Sequence, residues 1–112
     1  MKLVTAIIQP DMLEQVQKAL VRHGVAGMTI SEVSGYGRQR GHIETYRGEE
    51  YTIDFILKVR IEVLCDDDEA EALTGVIVQA ARTGQVGDGK VWIIPVDAVV
   101  RVRTGESGSA AI

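Results

Sequence analysis

The chain has 112 residues, a formal net charge of −4 and a single cysteine, with 46% apolar and 25% charged residues. A chain this size buries roughly two thirds of its unfolded surface, which suffices for one core without staples and leaves no room for a second. The composition excludes a disordered chain, a collagen-like chain and a disulfide scaffold. The acid excess argues against general nucleic-acid binding, which runs on basic patches. No leader or bilayer span is read, so the reducing cytoplasm is the expected compartment.

Lys2–Gln9 reads as a strand with apolar residues on both parities, which places it centrally in a sheet. Pro10 ends it. Asp11, with Glu14 three residues on, predicts a capped helix carrying Leu13, Val16 and Leu20 on one face and stopping at Gly24. A second strand is predicted from about Met28 to Tyr36. Residues 37–50, GRQRGHIETYRGEE, lack apolar periodicity and read as a loop of about 14 residues, long enough to expect a function.

Tyr51–Cys65 alternates. Ile53, Phe55, Leu57, Val59, Ile61, Val63 and Cys65 share one parity, so one unusually long strand is predicted. The other parity, with Asp54, Lys58, Arg60 and Glu62, reads as partly wet. Asp68 and Glu71 again resemble a capping box, before a helix with Leu73, Val76, Ile77, Ala80 and Ala81 that ends near Gly84. A glycine loop covers 83–90. Val91–Val102 reads as a last strand, or two short ones kinked at Pro95, and residues 104–112 form a tail. The order β-α-β-β-α-β is the split βαβ, ferredoxin-like pattern: one α+β domain over 1–112, an antiparallel sheet with two helices on one face.

Chemistry concentrates in the glycine loop, TGQVGDGK. It is not a P-loop, because the order of glycines and lysine is wrong and it leads from helix to strand. Gly84, Gly87 and Gly89 nevertheless let backbone N–H groups approach an anion, and Lys90 adds a charge. Arg101 and Arg103 share a parity and would leave the same face of the last strand. Together these cations suit a di- or triphosphate. A plain glycine hairpin with two solvated arginines is the alternative. His23, at a predicted helix C-terminus, reads as a cap, and Cys65 as core. No Ser-His-Asp, Cys-His or zinc spacing occurs, and no residue stands out as a tuned base or nucleophile, so an enzyme reading has little support.

Several motifs carry a resemblance. GRQRG at 37–41, YRGEEY at 46–51, ARTGQVGDGK at 81–90 and RVRTGE at 101–106 resemble the PII signal-transduction proteins of nitrogen regulation, and KLVTAII at 2–8 and GMTISEV at 27–33 fit as well. The resemblance spans essentially the whole chain. It implies a homotrimer with ATP or ADP bound competitively in three intersubunit clefts. Gly37, Arg38, Gly87, Asp88, Gly89 and Lys90 would hold phosphates, with Arg101 and Arg103 reaching in from a neighbouring subunit. Thr29, Glu62 and Leu64 would lie around the adenosine. Gln39 would ligate Mg²⁺ bridging ATP and 2-oxoglutarate, near Gly41, and Lys58 would pair with an acid group of that oxoacid. Tyr51 matches the family's uridylylation tyrosine. The implied output is control of an ammonium transporter or a nitrogen-metabolism enzyme through the long loop, not catalysis.

Five positions depart from the pattern: Gln9 for lysine, Asp11 for an aromatic, Glu49 for a small residue, Leu57 for a frequent proline and Leu64 for valine or isoleucine. The first three motivate an alternative in which another small anion, such as bicarbonate, is read beside the nucleotide and a carbon or other transporter is controlled.

Overall fold

The computed structural model describes residues 1–36, 43–46, 49–52 and 55–112, the strands at 43–46 and 49–52 by their backbone alone. The elements run β1 (Lys2–Ile8), α1 (Leu13–His23), β2 (Thr29–Gly35), β3 (Ile43–Tyr46), β4 (Glu49–Thr52), β5 (Ile56–Cys65), α2 (Ala70–Ala81) and β6 (Gly89–Pro95). Four strands form one antiparallel sheet in the order β2-β5-β1-β6. β1 is central, as its two-sided apolar pattern predicts.

Register explains the layering. Val4, Ala6 and Ile8 lie opposite Val63, Ile61 and Val59, so these six share one face. That face forms a single buried cluster with Val16 and Leu20 of α1 and Ala70, Leu73, Ile77 and Ala81 of α2. Both helices therefore cover one side of the sheet, as expected for the split βαβ pattern. The other side carries Leu3, Thr5 and Ile7 of β1, Lys58, Arg60, Glu62 and Leu64 of β5, and Lys90, Trp92 and Ile94 of β6. Neither α1 nor α2 covers it, and Trp92, Ile94 and Leu64 are each at least 40% exposed in the single chain.

Four sequence expectations change. The strand predicted over 51–65 is two elements. β5 begins at Ile56 and pairs with β2 and β1, whereas Glu49–Thr52 pairs with Ile43–Tyr46. The apolar parity runs on past the covered sheet: Phe55 and Leu57 are 68% and 54% exposed.

The segment 37–50 likewise is not all loop, since β3 and the start of β4 lie within it, in the register Ile43↔Thr52 to Tyr46↔Glu49. Backbone hydrogen bonds close such a ladder without any apolar alternation. The cue was the run of β-branched and aromatic residues, Ile43, Thr45, Tyr46, Tyr51 and Thr52.

Neither helix has a side-chain cap. Asp11 and Asp68 instead fall inside 3₁₀ turns, Pro10–Met12 and Asp67–Glu69, which lead into α1 and α2. The backbone bonds Met12 N–H to Gln9 O (3.0 Å) and Glu69 N–H to Asp66 O (3.1 Å) close the two turns. At its other end α1 stops as predicted: Gly24 takes φ 110°, a conformation that favours glycine.

The last strand ends at Pro95, opposite Lys2. Arg101 and Arg103 are therefore not on a strand and do not share a strand face. They lie at and within a turn that follows an isolated bridge, Val100↔Ser107. The Arg101 N–H bonds to Glu106 O and the Gly105 N–H bonds to Arg101 O, both at 2.8 Å, and these bonds fix the turn.

Candidate functional site

The loop between α2 and β6 is built by its own side chains. The Asp88 carboxylate accepts the backbone N–H groups of Thr83 (2.8 Å) and Gly84 (2.9 Å) on one oxygen. Its other oxygen accepts the Thr83 hydroxyl. This closes residues 83–88 into a ring. The Thr83 hydroxyl, then the Thr83 and Gly84 N–H groups, hold the Asp88 carboxyl below the ordinary carboxylate range. Asp88 thus spends its side chain on the loop, and a phosphate would meet the loop's backbone. The T-x₄-D spacing was the available signal for this staple, and the sequence reading missed it.

Two further anchors set where the loop sits. Gly89 has φ 106°, and a Cβ there would lie 2.8 Å from the Ile7 carbonyl carbon and 3.2 Å from Ile8 Cα. Only glycine lets β6 enter the sheet this close to β1. Lys58 reaches from β5 and donates to the Gly87 carbonyl at 2.6 Å. Its wet-parity assignment is corrected here, because Lys58 is only 7% exposed. Burial lowers the Lys58 pKa, while the carboxylates of Asp88 and Asp11 work to keep it charged.

These pieces line one cleft of about 720 Å³, with Lys58, Gly87, Gly89 and Lys90 meeting Ile7, Gly35 and Trp92. Gly35 is tightly fitted, since a Cβ there would sit 3.3 Å from Lys58 Cγ. Gly35 also ends β2, where the segment containing Gly37 and Arg38 departs. A backbone-lined, lysine-flanked cleft of this kind holds an anion well.

Thr29, Glu62 and Leu64 come together elsewhere, in a second cleft of about 890 Å³ that shares no lining residue with the first. Glu62 accepts the Thr5 hydroxyl at 3.3 Å. Lys58 and Leu64 are six residues apart on one strand, about 20 Å at an ordinary strand rise. Arg101 is held by Glu106, Nη1 to Oε1 at 3.0 Å, and Arg103 is exposed.

Gly37, Arg38, Gln39 and Gly41 lie outside the described residues, and Tyr51 is described only as part of the β4 backbone. The expected Mg²⁺ ligand, Gln39, is among them. Among the described residues no group of three or more His, Cys, Asp or Glu is placed to hold a metal. His23 faces Glu69 of the turn before α2, Nε2 to Oε2 at 3.6 Å. Cys65 is buried in the core as predicted, and burial pushes its thiol pKa up.

A family model for the nitrogen regulatory protein P-II matches residues 1–106. The chain belongs to the P-II family. Full-length relatives agree. The nitrogen regulatory protein P-II of a Synechocystis strain is 53% identical over all 112 residues of both chains. That of Azospirillum brasilense is 51% identical over the same full span. Nitrogen regulatory protein P-II 1 of Escherichia coli is 48% identical, again across both whole chains. This P-II chain is a nitrogen-regulatory signal transducer, not an enzyme. No helix among its described residues is long and apolar enough to cross a membrane.

Proposed function

We propose that this P-II chain senses ATP against ADP, reads 2-oxoglutarate through Mg²⁺-ATP, and acts in the cytoplasm as a homotrimer on an ammonium transporter or a nitrogen-metabolism enzyme. One observation carries the proposal. Gly87, Gly89 and Lys90 of the candidate phosphate set line one cleft, and Thr29, Glu62 and Leu64 of the candidate adenosine set line another. In this reading the phosphates fill the first cleft of one chain and the adenosine meets the second cleft of a neighbour. The sheet face away from α1 and α2, with exposed Leu64, Trp92 and Ile94, supplies a surface for such neighbours.

In this reading the nucleotide phosphates lie along the 83–90 backbone beside Lys90, with Gly37 and Arg38 completing the grip. Arg101 and Arg103 arrive from the adjacent subunit. Gln39 holds Mg²⁺, Gly41 lies beside the oxoacid, and Lys58 takes one of its carboxylates. Signalling is a population shift. A ligand moves the long loop only by its differential affinity for that loop's conformations.

A second reading concerns the co-ligand. Asp11 exerts a negative field on Lys58 and lines a neighbouring pocket with Gln9, Thr83 and Asp88. An added carboxylate near the anion site disfavours a dianion more than a monoanion such as bicarbonate. Calorimetric titration of ATP with Mg²⁺, with and without 2-oxoglutarate, tests both readings. Tighter ATP binding with the oxoacid supports the first, through reciprocal coupling. ATP binding that the oxoacid leaves unchanged, but bicarbonate tightens, supports the second. Failure to bind either nucleotide refutes both.

A further inference from the structure

We propose that Lys58 is a positioning residue for the phosphate-binding backbone of the 83–89 loop, through its bond to the Gly87 carbonyl and independently of any oxoacid. The inference rests on the nucleotide reading above.

The geometry is specific. Lys58 is buried on the sheet face away from α1 and α2, and its ammonium meets a main-chain oxygen 29 positions further along the chain. Gly87 takes φ 103°, a left-handed conformation in which its peptide could otherwise turn with little steric restraint. The peptide unit is planar and trans, so the carbonyl of residue 87 and the N–H of residue 88 point in opposite directions. Holding the Gly87 oxygen against Lys58 therefore aims the Asp88 N–H away from Lys58.

The rest of the loop is fixed from within. The Asp88 carboxylate captures Thr83 and Gly84. Gly89 fixes the exit into β6 by its close approach to Ile7. The peptide joining 87 and 88 lies between these two restraints, and among the described residues Lys58 is the side chain from outside the loop bonded to it. Gly35 packs against the Lys58 stem and restricts its path, so the ammonium arrives from one direction.

An ammonium has three donors, so this bond does not prevent Lys58 from also holding a carboxylate. One side chain then touches the oxoacid and shapes the nucleotide loop, a physical link between the two sites that does not pass through the metal.

The test is titration of ADP without Mg²⁺ and without oxoacid into the full-length protein and its K58M, K58R and K58Q variants. Methionine keeps the length and packing of the stem, so the fold is expected to persist. K58M is expected to weaken ADP by about tenfold, the size of one hydrogen bond to a charged donor. K58R keeps charged donors and is expected to restore affinity to within about threefold of wild type, a rescue that loss of packing would not show. The Asp88 amide resonance should move in K58M and return in K58R. If K58M does not fold, K58Q serves in its place with the same direction of effect. Wild-type ADP affinity in K58M, or in K58Q where it substitutes, overturns the inference and leaves the nucleotide reading standing. A wild-type protein that binds no ADP overturns that reading and this inference with it.

Discussion

Gly89→Ala and Gly84→Ala make a matched pair. Both residues have positive φ, 106° and 89°, so alanine costs backbone strain at each, about 1–3 kcal/mol. They differ in surroundings. Nothing lies within 4 Å of a Cβ at Gly84, whereas a Cβ at Gly89 would press on the Ile7 carbonyl and Ile8 Cα. Those atoms are backbone of the central strand, and Ile8 is paired directly with Gly89. Relief requires β6 to move off β1, and overpacking of this kind adds about 1–3 kcal/mol. Gly89→Ala is therefore expected to cost about 4 kcal/mol and Gly84→Ala about 1.5 kcal/mol. At about 4 °C per kcal/mol, the melting temperatures should fall by about 16 °C and 6 °C respectively. Thermal and urea denaturation at one fixed protein concentration measure both, because association also shifts the midpoint. Equal losses for the two variants would refute the claim that the close approach to Ile7 makes residue 89 a glycine.

Three further outcomes follow from the same structure. The Asp88 carboxyl has a folded pKa below its ordinary value, so its contribution to the loop is complete above the ordinary carboxylate pKa and is lost as pH falls through the lowered one. Amide-exchange protection of Thr83 and Gly84 should hold at pH 5, survive down to the ordinary carboxylate pKa and be lost only below it, and be absent throughout in Asp88→Ala. Cys65, 5% exposed with its thiol pKa raised by burial, should react with a thiol reagent at neutral pH only after unfolding, and rapid labelling of the native protein would contradict its placement. Ile61→Ala should cost about 2–5 kcal/mol in urea denaturation, because its side chain is fully buried, whereas Val102→Ala at a fully exposed site should stay within about 0.5 kcal/mol.

What the sequence reveals and what it hides divide along physical lines. Hydrophobic period reports burial, and it located β1, α1, α2 and the covered half of β5 because one face of each meets the core. It failed where apolar alternation and coverage part company: Phe55 and Leu57 continue the parity of Val59 but lie beyond the helices. It was silent on β3 and β4, whose pairing is made by backbone groups. Glycines and cations marked the candidate anion-binding loop, but their side-chain partners were not legible. The Asp88 carboxylate staples the loop, a role its spacing alone did not announce, and Lys58, on a parity read as partly wet, is buried against Gly87. Arg101 and Arg103 were wrongly placed on a strand, because Pro95 ends the ladder earlier than the apolar run suggests. Thr29 joins Glu62 and Leu64 in one cleft through the β2–β5 pairing, a neighbour relation that linear spacing did not express.

The sheet order has a consequence for how the chain is made. β1 precedes every other strand of this sheet in the chain, yet it lies between β5 and β6, the last two of the sheet to be synthesised. Both of its edges stay without their native partners while nearly fifty residues are added, a wait on the order of several seconds at ordinary elongation rates. During that time a nascent KLVTAII segment exposes apolar side chains and open hydrogen-bonding groups. Sheet completion closes nearly the whole length of the chain in one step, the kind of non-local pairing that slows folding. The strand most deeply embedded in the finished protein is thus the one most in need of protection during translation.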